Sequence, residues 1–97
     1  MSSTWRQGVI DHCKHAIASA PPHVNRSWRI MGSYKAMLDD SHTIHNEHGP
    51  AVIYNNGTVE FWLCDYYLDG IKMYAEALDL SKEETIILEM QYGDRVV

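Results

Sequence analysis

The tetrapeptide Asn55-Asn56-Gly57-Thr58 constrains this chain more than any other feature. It is preceded by Ala51-Val52-Ile53-Tyr54 and followed by Val59-Glu60-Phe61-Trp62-Leu63-Cys64. Two apolar, β-branched and aromatic runs around an Asn-Gly corner are the strongest short-range signal for a β-hairpin. Asn-Gly at the two central positions suits a type I′ turn, which needs φ > 0 at both. That turn sets Tyr54 opposite Val59 and Val52 opposite Phe61. One face then carries Val52, Tyr54, Val59, Phe61 and Leu63, and the other carries Ala51, Ile53, Glu60, Trp62 and Cys64. Both faces are largely apolar, which a hairpin with water on one side does not need. Either helices cover both faces, or the face with Trp62 is left for a partner. Covered sheets are the ordinary arrangement, so helices on both faces are expected.

Helices are readable on either side of the hairpin. Trp5, Val9, Cys13, Ala16, Ile17 and Ala20 recur at helical spacing, and Thr4-Trp5-Arg6-Gln7 fits a capping box, so the spacing predicts a helix over 5–19. Pro21-Pro22 stops it, because proline lacks the N–H and biases the preceding residue away from α geometry. Residues 21–27 form a connector. The stretch 28–38 is ambiguous between a strand broken at Gly32-Ser33 and a helical turn, and a strand over 28–31 is the reading adopted. Asp39-Asp40-Ser41 is a loop. Tyr66 to Gly70 reads as a third short strand or a turn. Ile71 to Leu78 supplies two helical turns with Met73, Tyr74, Ala77 and Leu78 inward. A last helix begins at the capping box Ser81-Lys82-Glu83-Glu84, buries Ile86, Ile87 and Met90, and ends at Gly93 in the left-handed conformation. Residues 94–97 read as a frayed tail. The expected architecture is one α+β domain over 1–97: an N-terminal helix, a small antiparallel β-meander or hairpin, and two short C-terminal helices.

Composition narrows the function classes. Ninety-seven residues make one small core, and 45% hydrophobic with 22% charged residues is ordinary for a globular chain. No apolar run approaches the ~18–20 residues of a membrane span, and the opening residues Met1 to Arg6 do not read as a signal peptide. Cys13 and Cys64 are too few for a disulfide framework, which points to a reducing, cytoplasmic compartment. The net charge is −5, and it is unevenly spread: residues 1–48 hold five basic and four acidic groups, residues 49–97 three basic and nine acidic. Direct nucleic-acid binding is disfavoured, since phosphate contacts need clustered Lys and Arg. The acidic half suits a basic partner surface, or simply a solvated face.

The residues that carry chemistry give little support to catalysis. All six histidines lie in the first half. His42, His45 and His48 are three apart, but a structural zinc site wants four ligands, usually with cysteines, and the Gly49-Pro50 that follows argues for loop geometry. Metal and cofactor are therefore read as none. Cys13 falls on an apolar stripe and reads as a small hydrophobe. A Cys–His nucleophilic pair requires that the fold bring a histidine to Cys13 or Cys64. Asp39-Asp40 and Glu83-Glu84 have local roles in a turn and a helix start. There is no Gly-rich phosphate loop, no Gly-x-Ser-x-Gly and no Walker-type lysine. Aromatic residues remain. Trp62, Tyr66 and Tyr67 beside Glu60, Asp65 and Asp69 make the candidate partner-binding patch, since Trp and Tyr anchor interfaces.

His45-Asn46-Glu47-His48-Gly49-Pro50-Ala51-Val52-Ile53-Tyr54, then Asn56-Gly57, then Phe61-Trp62, resembles a MORN-like repeat variant. Gly49-Pro50 leads tightly into the first strand, Gly57 makes the hairpin, and the aromatics fill the pleat. The tail from Met73 to Gly93, with Leu80-Ser81-x-Glu83-Glu84 and Tyr92-Gly93, is similar to the helical ends of small phage proteins that carry such repeats. Cys64-Asp65 stand where the family usually has Asn-Gly, and His48 stands where Asp is usual. One repeat does not make a stacked array, so a single hairpin inside an α+β domain is expected. The resemblance implies a non-enzymatic phage-type protein that binds a host bacterial protein, as an inhibitor or modulator of a host activity that includes defence. Two other classes remain open: a small histidine-based metal-binding enzyme or ligand sensor, and a structural homo-oligomer whose hairpin edges pair between subunits.

Overall fold

The computed structural model describes residues 4–20 and 24–96, and the expected stop at Pro21-Pro22, His23 and the final residue of the tail lie outside that range. Its order is α1 (Thr4–Ser19), β1 (Arg26–Ile30), β2 (Tyr34–Asp39), β3 (Val52–Tyr54), β4 (Val59–Leu63), β5 (Tyr66–Leu68), α2 (Ile71–Leu78) and α3 (Lys82–Tyr92). The strands form one antiparallel meander in the order β1-β2-β3-β4-β5. The fold is α+β, with a helix before the sheet and two after it. No helix among the described residues is long and apolar enough to cross a membrane.

The ambiguous stretch resolves into a hairpin. β1 and β2 join through Gly32-Ser33, where Met31 N–H donates to Tyr34 C=O at 2.8 Å and Gly32 takes φ +86°. A glycine at positive φ in the first position of a two-residue loop marks the type II′ turn, whose twist matches the strands it joins.

The central hairpin forms, but in a register shifted by one from the expected one. Ile53, not Tyr54, faces Val59, and Val52 faces Glu60. Tyr54 N–H donates to Thr58 C=O at 2.8 Å and Gly57 N–H to Tyr54 C=O at 3.0 Å. Of the loop residues, only Gly57 has positive φ, +92°. The connection is therefore a three-residue loop closed by glycine at the left-handed position rather than a type I′ turn. Thr58 N–H donating to the Asn56 side chain at 2.9 Å favours this form. The shift exchanges partners across the pleat. Ile53 now shares a face with Val59, Phe61 and Leu63, while Val52 and Tyr54 share the other with Glu60 and Trp62.

All three helices pack on the first of these faces. The main core joins Ile10 and Cys13 of α1, Val59, Phe61 and Leu63 of β4, Leu68 of β5, and Ile71, Met73, Tyr74 and Ala77 of α2. α2 is the central helix, and it touches α1, α3, β4 and β5. Helices over both faces, the expected arrangement, are thus not what the chain adopts. The opposite face closes over a smaller cluster, Ala36, Leu38 and Val52, with Tyr34, Ile44, Tyr54 and Trp62 packed around it.

Several expected core positions face water. Trp5 is exposed and Ile10 takes the buried place on α1. The thiol of Cys13 is fully buried against Leu63 C=O, and burial pushes its pKa up to about 11. The Ser81 capping box forms as expected, with Glu84 N–H on the Ser81 hydroxyl at 3.1 Å and Ser81 N–H on the Glu84 carboxylate at 3.0 Å. However, Ile86, Ile87 and Met90 of α3 are exposed, at 45%, 54% and 81%. α3 leans on α2 along Leu88 and Tyr92 instead. Gly93 is right-handed at φ −53°, and a Cβ there would lie 2.5 Å from the Glu89 carbonyl oxygen. Close approach, not left-handed geometry, is what glycine provides at that point. Nor is the tail frayed through 96: Val59 N–H donates to Arg95 C=O at 2.8 Å, and Val96 bridges Val59 in parallel.

The irregular segment 44–50 is fastened to the helical layer by Tyr74, which is fully buried. Its hydroxyl donates towards Asn46 C=O at 2.6 Å, with Gly49 C=O a second acceptor at 3.1 Å, and accepts from Gly49 N–H at 3.1 Å. Tyr74→Phe keeps the ring and strands a buried amide and carbonyl, so it is expected to cost about 2 kcal/mol in urea unfolding with an unchanged slope. Asp79, which ends α2 at φ +58°, donates its N–H to Ala75 and Glu76 carbonyls and uses its side chain for no hydrogen bond among the described residues. Asp79→Gly is expected to raise stability by about 0.5–1 kcal/mol in the same measurement, because glycine occupies the left-handed cap without a Cβ penalty.

Candidate functional site

The register places five aromatic or acidic side chains from four neighbouring strands, two of them from β4, on the face opposite the helices. Tyr34 of β2 lies directly opposite Tyr54 of β3, with ring centroids 5.5 Å apart. Trp62 of β4 lies directly opposite Tyr67 of β5, edge to face at 5.8 Å. Glu60 joins the two pairs: Tyr54 donates its hydroxyl to one carboxylate oxygen at 3.1 Å, and the Trp62 indole N–H donates to the other at 3.0 Å. The result is a row, Tyr34–Tyr54–Glu60–Trp62–Tyr67, laid across the sheet and half-buried throughout. Its rotamers are fixed by packing and by a shared anion. Burial, reinforced by the Glu60 carboxylate, raises the Tyr54 phenol above its usual pKa. Burial followed by the Asp69 charge does the same for Tyr67. Both phenols stay neutral donors at physiological pH.

Of the six residues expected to form the patch, the structure unites Glu60, Trp62 and Tyr67 and disperses the others. Tyr66 faces the helical side, its ring 4.9 Å from that of His12 on α1. Asp69 pairs with Arg6 at 2.9 Å across an exposed gap. Asp65 serves the turn described below. Tyr34 and Tyr54 were missed because the type I′ register places Tyr54 with the Phe61 face and leaves Tyr34 unassigned. The signal that finds them is the length of the loop.

A second cluster sits at the β4–β5 turn. Cys64 and Asp65 are its two central residues, at φ +53° and +69°. This is the type I′ geometry expected at Asn-Gly, formed here by two residues that carry side chains. The segment 44–46 supports it. Asp65 N–H donates to Ile44 C=O at 2.9 Å, and Ile44 N–H returns a bond to the Asp65 carboxylate at 2.8 Å. Cys64 N–H donates to Nδ1 of His45 at 2.9 Å, and Nε2 of that ring meets the Glu47 carboxylate at 2.8 Å. His45 is 2% exposed. These partners set the tautomer: Nδ1 must accept and Nε2 must carry the proton.

The fold thus brings a histidine to Cys64, with Sγ 3.6 Å from Nδ1. A thiol, imidazole and carboxylate in line have the composition of a nucleophilic triad. Its details serve structure instead. The Nδ1 lone pair is already taken by a backbone amide, and burial raises the Cys64 thiol pKa, so the thiol stays protonated at neutral pH. The cleft of about 260 Å³ between residues 47–49 and α3 is lined by Glu47, His48, Tyr74, Leu80 and Glu84, among others, and not by Cys64. His42 and His48 are both exposed and neither bonds to the His45 ring. Among the described residues, no three His, Cys, Asp or Glu side chains are grouped to hold a metal ion.

Compared with family models, curated proteins and solved structures, the chain matches none. The residues themselves therefore carry the functional argument.

Burial holds the His45 imidazole below its ordinary pKa of 6.5, although the Glu47 hydrogen bond pulls the other way. A depressed histidine pKa means that the unfolded chain takes up the proton first. The stabilisation is full above about pH 6.5 and is lost as the pH falls through the folded-state value. Urea midpoints are expected to be level from pH 7 to 8 and to decline below about 6.5. His45→Asn keeps an acceptor for Cys64 N–H but has no titration in this range, so it is expected to flatten that decline.

Proposed function

We propose that the protein is a non-enzymatic binding module that engages a partner protein through the Tyr34–Tyr54–Glu60–Trp62–Tyr67 row. The observation that carries this reading is the one-sidedness of the sheet. Helices cover the Phe61 face, while among the described residues the opposite face carries no helix and is capped by Ile44 and by aromatic side chains, two of which bond to the Glu60 carboxylate. Aromatic groups whose rotamers are already set lose little entropy when a partner docks. Tyrosine and tryptophan around a partly desolvated anion form the kind of centre that dominates binding energies. The acidic balance of residues 49–97 favours a partner surface rich in Lys and Arg, whose cations stack on the rings and face Glu60. The resemblance to small phage proteins with MORN-like repeats supplies the setting: a host bacterial protein in the cytoplasm, inhibited or modulated by contact.

The test is comparative capture from bacterial lysate, followed by binding of the identified partner to purified variants. Trp62→Ala and Tyr67→Ala are expected to weaken binding at least tenfold, about 1.4 kcal/mol or more. Met90→Ala on the exposed side of α3 is expected to leave it unchanged, and circular dichroism checks that all three fold. Equal binding by the first two variants and the wild type would remove this face from the account.

A further inference from the structure

β1 stands apart from every other strand. All five of its residues, Arg26 to Ile30, are exposed. It lies at the edge of the sheet, and it contacts β2 while the helices gather over β4 and β5. Ile30 is 85% exposed, Met31 47% and Trp28 38%. Natural edge strands are commonly shortened, bulged or covered, because an open row of N–H and C=O groups recruits another strand. Here the strand pairs through five consecutive residues without a bulge and carries large apolar side chains. Among the described residues nothing pairs with it.

We infer that a second copy of this chain pairs with β1, antiparallel and about a two-fold axis through Trp28. The backbone parity selects this register. Met31 N–H points inward, to Tyr34 C=O. N–H and C=O directions alternate along a strand, so Arg26, Trp28 and Ile30 direct theirs outward. Antiparallel self-pairing places Trp28 opposite Trp28 of the second copy and Arg26 opposite its Ile30, each a pair that exchanges two hydrogen bonds, for about six in all. The same register sets Arg29 opposite Ser27 of the other chain, so no like charges face each other directly. Shifting the centre to residue 29 would oppose the two Arg29 guanidinium groups, at a cost. On the face shared by Trp28 and Ile30, the two indoles meet at the axis. Lys35 already lies 5.0 Å from the Trp28 ring centroid and contributes its stem beside them.

This pairing makes one ten-stranded sheet from two copies of the five-stranded one. A two-fold axis perpendicular to the sheet keeps like faces on the same side. Both helical layers then lie on one side, and both aromatic rows on the other. The inference stands independently of the partner reading, since β1 contributes no residue to the row.

Sedimentation equilibrium at chain concentrations up to about 100 μM, a range that reaches weak isologous dimers, is expected to show twice the 11.1 kDa chain mass. Hydrogen exchange is expected to show slowed amides at Arg26, Trp28 and Ile30, which would point to solvent in a lone chain. Ile30→Pro removes an outward N–H that β2 does not use, and is expected to return the chain mass and speed exchange at Arg26 and Trp28. Trp62→Ala is expected to keep the doubled mass, which separates this test from that of the binding face. A single-chain mass with fast exchange at those amides in the wild type would overturn the inference. So would a doubled mass in folded Ile30→Pro. If Ile30→Pro fails to fold, the wild-type exchange pattern alone decides.

Discussion

The hydrogen bond from Cys64 N–H to His45 Nδ1 is the contact on which the rest of the sheet depends. Cys64 and Asp65 both hold left-handed backbone conformations, and each costs on the order of 1 kcal/mol for a residue with a side chain. Glycine would remove most of that cost. Here the segment 44–46 offsets it, by accepting both turn amides and donating Ile44 N–H to Asp65. The same segment continues the sheet where β3 is too short to reach: His45 N–H donates to Met37 C=O at 3.2 Å on one side, and Asn46 N–H to Trp62 C=O at 3.2 Å on the other. One irregular stretch thus fills the gap between β2 and β4, closes the β4–β5 turn and, through Asn46 and Gly49, receives the Tyr74 hydroxyl. Without the turn, β5 has no register, Tyr67 has no place beside Trp62, and Leu68 leaves the core.

This dependence explains why the charged imidazole is disfavoured at position 45. Both ring nitrogens already have fixed roles, and a second ring proton would be aimed at a backbone N–H. Glu47 would welcome the charge, but the buried ring has little water to support it, and burial outweighs the carboxylate. Histidine therefore acts here as a neutral two-ended connector. Asparagine or glutamine offers an amide at only one of these two ends with comparable reach. That gives a physical reason for the histidine at position 45, quite apart from any metal.

Much of the architecture was legible because local signals agreed with the final packing. The α+β class, the α3 capping box, the two C-terminal helices and the existence of the central hairpin all follow from turn and cap chemistry. Register was not legible. Asn55-Asn56-Gly57 satisfies either a two-residue or a three-residue loop, and the choice rests on the Asn56 side chain taking Thr58 N–H. That one-residue difference moved Tyr54 to the open face and hid the aromatic row. The β1–β2 hairpin was obscured because β1 buries nothing, so its residues show no amphipathic alternation. The outward turn of Ile86, Ile87 and Met90 was equally hidden: the apolar stripe on α3 is real, but α2 presents its surface to Leu88 and Tyr92 instead. The pairing of His45 with Cys64 spans 19 residues of sequence and needed the fold to appear.

The two ends of the sheet differ in how firmly they are held. β4 and β5 are tied to all three helices and supply most of the core. β1 and the outer edge of β2 extend beyond that layer, and an isolated two-stranded ribbon in water is marginal at best. The smaller cluster of Ala36, Leu38 and Val52 steadies β2 but not β1. A strand that gains backbone hydrogen bonds to one neighbour and the Lys35 contact at Trp28, while leaving Ile30 in water, is held below the stability that its residues can reach. The proposed pairing would supply bonds to the edge of β1 that is unpaired among the described residues, and would cover those side chains without disturbing the helical core. In the proposed dimer the two aromatic rows share one continuous surface, so a partner with two suitably spaced basic segments would meet the second row already positioned by the first.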